Sequence, residues 1–93
     1  MSCGFDNIMN LARESRFKKI MIMRNSWGEG NWCRVDKVVY NPDGKYGKAY
    51  GHIHYRDGNE KDGEISCAGN YSWRTIKVLE EEMEIVNKPA DAL

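Results

Sequence analysis

The sequence predicts a mainly β (α+β) domain: a small five-stranded antiparallel barrel or curved sheet, SH3-like or OB-like, with a short N-terminal helix. Three observations carry that expectation. Two alternating, β-prone runs flank a Pro-Asp-Gly turn between Trp32 and Tyr55, written WCRVDKVVYNPDGKYGKAYGHIHY. Short apolar runs recur between Gly, Asn and Asp clusters through most of the chain, the spacing of a small all-β core. Helical periodicity is confined to the two ends.

Taken in order, Ser2 is placed to cap a helix lying within residues 1–16. Phe5, Ile8, Met9 and Ala12 fall at i, i+3, i+4 and i+7, the stripe of one buried face. Lys18 to Asn25 reads as a first strand, and apolar residues on both of its faces predict cover on both sides. A two-glycine loop from Ser26 to Asn31 leads into a second strand, Trp32 to Tyr40. Strict alternation puts Cys33, Val35, Lys37 and Val39 on one side and Trp32, Arg34, Asp36, Val38 and Tyr40 on the other. Pro42 pre-sets φ for the turn that follows, and Asp43 and Gly44 tolerate the conformations it needs.

The third strand, Tyr46 to Tyr55, aligns Tyr46, Lys48, Tyr50, His52 and His54. Its opposite side carries Gly47, Ala49, Gly51, Ile53 and Tyr55, small enough in places to admit a neighbouring backbone or mark a bulge. A turn from Asp57 to Gly63 and strands over Glu64–Cys67 and Tyr71–Val78 follow. The β-rich core thus spans 18–78. Residues 79–87, with Glu80, Glu81 and Glu82, read as a second helix or as an extension of the last strand. A tail occupies 88–93.

Ninety-three residues make a single domain, 1–93, with one modest core. The chain is 41% hydrophobic and 30% charged, which excludes a disordered or collagen-like class. No apolar run approaches the ~20 residues of a membrane span, and the N-terminal stretch lacks a basic region followed by an apolar run, so a cytoplasmic protein without membrane association is expected. Cys3, Cys33 and Cys67 are odd in number and widely spaced, which argues against a disulfide framework. Cys33 and Cys67 sit in strand patterns and are expected to be buried thiols. Net charge is zero, yet residues 1–55 carry nine Lys or Arg against five acids, and residues 56–93 five against nine. A neutral total argues against avid nonspecific nucleic-acid binding.

Arg24-Asn25-Ser26-Trp27-Gly28 resembles the Asn-Ser-Trp-Gly segment of papain-like cysteine proteases over five residues. The resemblance implies an Asn that orients a catalytic His and a Trp that shields the pair. That family places its nucleophilic Cys and its His upstream of the segment, whereas His52 and His54 lie downstream and Cys3 lacks the flanking motif. The chain is also too short for the two-lobed fold, and the segment reads as a strand-to-loop match.

His52 and His54 share a strand face and are the candidates for a metal ion, but zinc needs three or four ligands and no Cys-x-x-Cys pairing accompanies them. No metal or other cofactor is expected. Gly28-Glu29-Gly30 lacks the third glycine of a phosphate loop. The acids from Asp57 to Glu64 fail as a calcium loop, because its twelfth position is Ala68. No nucleophile–base pair or paired carboxylates can be placed together, so no catalytic residue is assigned.

The expectation is a noncatalytic small binding module. Arg24, Trp27, Lys48, Tyr50, His52, His54 and Arg74 form its aromatic and basic surface, and a protein partner is the leading ligand. Nucleic-acid binding through the same residues is the alternative, since aromatic platforms beside cations also hold single strands. An inhibitor of a host protein, encoded by a phage or mobile element, is the third reading. Among the ten aromatics, Trp32 and Trp73 are assigned to the core.

Overall fold

The computed structural model describes residues 4–40, 47–65 and 72–87, with side chains over 8–40, 47–65 and 72–86. Helix α1 (Gly4–Glu14) precedes strands β1 (Lys18–Arg24), β2 (Trp32–Tyr40), β3 (Gly47–His54), β4 (Glu60–Ile65), β5 (Trp73–Glu82) and β6 (Glu84–Asn87). The first five strands pair antiparallel in the order β4-β3-β2-β1-β5, and β6 runs parallel to β2. With β4 and β5 at opposite ends, the sheet is not closed into a barrel. Among the described residues, no helix is long and apolar enough to cross a membrane. Ser2, Cys3, the Pro42-Asp43-Gly44 turn, Tyr46, Cys67, Tyr71 and the tail lie outside the described residues.

Helix α1 lays Ile8, Met9 and Ala12 on one face of the sheet, as its apolar spacing predicts. That inner face supplies Ile20 and Ile22 of β1, Cys33, Val35 and Val38 of β2, and Ala49 and Ile53 of β3, all buried. The helix ends in a tight turn in which Ser15 N–H donates to Leu11 O (3.0 Å) and Phe17 N–H to Ala12 O (2.9 Å). The Ser15 hydroxyl donates to Ala12 O as well, at 2.9 Å. Arg16 and Phe17 occupy left-handed conformations there, with φ of 59° and 61°. Each carries a steric cost of about 1–2 kcal/mol. Burial of Phe17 against the core offsets part of it.

The alternation expected for β2 breaks at Asp36. A bulge between Val35 and Lys37 makes Val38 point inward, fully buried, and turns Lys37 and Val39 outward. Gly51 faces the bulge. An ideal Cβ on Gly51 would lie 1.8 Å from Arg34 O, so the two backbones approach only because the side chain is absent. The expected cover of β1 on both faces holds only in part: Ile20 and Ile22 are sealed under the core and Met23 is buried on the outer side, but Met21 there is half-buried with no layer over it among the described residues.

The helix reading of residues 79–87 does not hold. Leu79–Glu82 continue β5 along β1, where Lys18 Nζ meets Glu82 (2.6 Å) and Lys19 Nζ meets Glu81 (2.8 Å). The pairing of β1 with β2 ends at Ile20↔Val35, so residues 37–40 of β2 have no partner on β1. The chain crosses over at Met83, which is buried and donates its N–H to Phe17 O (2.7 Å). β6 then fills the vacated position, from Lys37↔Glu84 to Tyr40↔Asn87. The turn expected over Asp57–Gly63 is shorter than its acids suggest. Tyr55 N–H donates to Asn59 O (2.9 Å), Gly58 takes φ 97°, and β4 already begins at Glu60.

Candidate recognition face

The outer face is built in rows across the strands. One row is paired throughout: Asp62 of β4, His52 of β3, Arg34 of β2, Met21 of β1 and Lys77 of β5. Beside it, Glu60 pairs with His54 and His54 with Trp32, while Met23 pairs with Arg74. On the other side, Glu64 pairs with Tyr50 and Tyr50 with Lys37. Read across the sheet, an acidic edge gives way to an aromatic and histidine column, then to Trp32, Arg34 and Lys37, then to two methionines, and last to β5, where Arg74 and Lys77 are followed by Glu81.

Cross-strand contacts fix these side chains. Trp32 stacks on His54 with centroids 4.9 Å apart and planes 9° apart, and its ring lies 6.0 Å from His52. His54 Nδ1–H donates to Gly30 O at 2.8 Å, which leaves Nε2 as the second ring position. Arg34 makes a two-pronged bond to Asp36, at 2.8 and 3.1 Å. Lys37 Nζ sits 5.2 Å from the Tyr50 ring centroid, and Arg74 Nη2 lies 3.5 Å from Met23 Sδ. Lys48 stands exposed further along β3.

His52 is the most constrained polar group of the face. Its Nδ1 lies 2.7 Å from Asp62 Oδ1 and its Nε2 2.8 Å from Glu60 Oε1. The Asp62 hydrogen bond raises its pKa above the ordinary imidazole value, partial burial opposes that shift, and Glu60 adds to it. At the other end of the sheet, the Glu81 hydrogen bond raises Lys19 and lowers Glu81 in turn.

Arg24 and Trp27 are not on this face. The Arg24 guanidinium stands 4.2 Å from the Trp27 ring centroid and 5.5 Å from that of Trp73. Trp27 meets Trp73 edge-on at 5.5 Å. Trp27 is half-buried against the core, and both indoles line an inner-side cavity of about 150 Å³ shared with Tyr55 and Lys61. The surface expected as one patch is therefore two. Lys48, Tyr50, His52 and His54 line up along β3 on the outer side, Arg74 stands three strand positions away on β5 beside Met23, and Arg24 and Trp27 close the inner side.

Trp32 moves the other way. Assigned to the core from sequence, it is half-buried on the outer face, whereas Trp73 is buried as expected. Its shared parity with Arg34 was the available signal, since the pair points to one side of β2 before the bulge. Among the described residues, no group of three or more His, Cys, Asp or Glu is placed to hold a metal ion, and both ring nitrogens of His52 are engaged by carboxylates. No family model matches the chain, nor does any curated protein or any solved structure.

Proposed function

We propose that the chain is a noncatalytic binding module that recognises a protein partner through its outer sheet face. One observation carries the reading: the face opposite α1 sets Trp32, Tyr50, Arg34 and Met21 between an acidic edge on β4 and basic residues on β5. Aromatic residues, Met and Arg ringed by charge are the composition of protein interfaces.

Electrostatics favour a protein over a nucleic acid. Arg34 is matched by Asp36, Lys19 by Glu81 and His52 by Asp62 and Glu60. A polyanion lying across the face would meet the carboxylates of Glu60, Asp62 and Glu64 before reaching Lys37. Release of counterions from phosphates needs unmatched cations, which here are interleaved with acids.

The test compares wild type with Trp32→Ala and with Asn10→Ala, an exposed change on α1. Capture of a protein from extract of the native host should be lost in Trp32→Ala and kept in Asn10→Ala. Tight binding of a labelled oligonucleotide that weakens steeply with salt, or capture indifferent to Trp32→Ala, would overturn the proposal.

A further inference from the structure

His52 reaches the edge strand with both ring nitrogens. A neutral imidazole has one N–H, and an ionised carboxylate only accepts. Contacts of 2.7 Å to Asp62 and 2.8 Å to Glu60 are therefore satisfied together only by the imidazolium. Once the proton leaves, one ring nitrogen turns its lone pair toward a carboxylate oxygen, and that carboxylate must move away.

Apart from the backbone ladder to His52–His54 and the Tyr55–Asn59 bond that closes the turn, the side chains do little to hold this part of β4. Glu60, Lys61 and Asp62 are exposed, Gly63 has no side chain, and Ile65 anchors the far end of the strand in the core. The groups around His52 do not replace the lost contact. From β2, Arg34 is committed to Asp36 and Trp32 packs against the ring of His54. From β3 itself, His54 donates to Gly30 O and Tyr50 lies against Lys37.

We propose that His52 is a protonation-controlled latch that holds Glu60–Asp62 on the sheet. It is tight while both ring nitrogens carry hydrogen, and the strand opens more often when one does not. Opening exposes the outer backbone edge of β3 at His52–His54 and removes the acidic border from the face. The consequence for binding rests on the reading of the outer face as a recognition surface; the latch itself does not.

The test uses the chain alone, without a partner. Ring ¹⁵N shifts of His52 are followed against pH, together with amide hydrogen exchange at Lys61, the position of this stretch whose N–H faces β3 in the ladder, corrected for its intrinsic pH dependence. Protection at Lys61 is expected to fall by about three- to fivefold as His52 titrates, the size of an exposed ion-pair contribution, while β1 and β2 stay unchanged. His52→Asn should abolish the step. Asp62→Asn should move the ring titration and the exchange step together to lower pH. Corrected protection that ignores pH, a step that persists in His52→Asn, or a step whose midpoint differs from the ring titration would overturn the latch. None of these outcomes touches the Trp32→Ala comparison, so the two readings fail separately.

Discussion

Replacing Gly51 by Ala is the sharpest test of how β2 and β3 meet. The added Cβ would lie 1.8 Å from Arg34 O and 3.0 Å from both Arg34 C and Asp36 N. Ordinary contact begins near 3.4 Å, so the strands must part by roughly 3.4 − 1.8 = 1.6 Å. All three obstructing atoms are backbone, and no side chain can rotate out of the way. A retreat of that size breaks the ladder around Val35↔Gly51 and Arg34↔His52. Overpacking costs about 1–3 kcal/mol and each buried hydrogen bond about 1 kcal/mol, which together give about 3–5 kcal/mol. A domain of this length has about 5–14 kcal/mol in total. Urea unfolding followed by tryptophan fluorescence and circular dichroism measures the loss directly, as a fall of roughly 1.5–4 M in midpoint. Gly58→Ala is the control: nothing lies within 4 Å of its Cβ, but φ is 97°. It should cost only the left-handed backbone penalty, about 1–2 kcal/mol. A Gly51→Ala protein as stable as Gly58→Ala would refute the close approach at the bulge.

Other perturbations probe the remaining joints. Arg16→Gly should raise stability by about 1 kcal/mol, because the residue is exposed and its φ is 59°, and a lowered urea midpoint would count against that turn. Met83→Ala should cost about 2–4 kcal/mol and speed amide exchange in β6, since the side chain is buried where the chain crosses from β1 to β2. For His52 the folded pKa is raised, so its contribution is complete below the unfolded imidazole value near 6.5 and is lost as pH rises through the folded value. The urea midpoint of wild type should fall across that window relative to His52→Asn; parallel curves would contradict it.

The helix stripe, the limits of β2 and the faces of β3 could be read from sequence because each rests on local periodicity. Ile8, Met9 and Ala12 are buried at helical spacing, and the alternation from Lys48 to His54 separates outer from inner residues as expected. Gly51 even marked the bulge. Which strand would carry it was not legible, since the extra residue, Asp36, belongs to the partner strand and looks like any other polar residue in an alternating run. The glutamates at 80–82 misled for a related reason. Lys18 and Lys19, which hold Glu82 and Glu81 in a strand, lie 64 and 62 residues away. Trp27 and Trp32 exchanged roles because composition alone does not say which indole a core accepts. Trp73 on β5 meets Trp27 across the inner side, while His54 draws Trp32 to the outer one.

The central claim is that recognition belongs to the sheet face opposite α1. Its most direct test is site-specific photo-crosslinking in the native host, with the reactive group at Lys48 on that face or at Asn10 on the exposed side of α1. The account predicts a discrete protein adduct from position 48 and none from position 10. Adducts to nucleic acid from position 48, or protein adducts from position 10 alone, would contradict it.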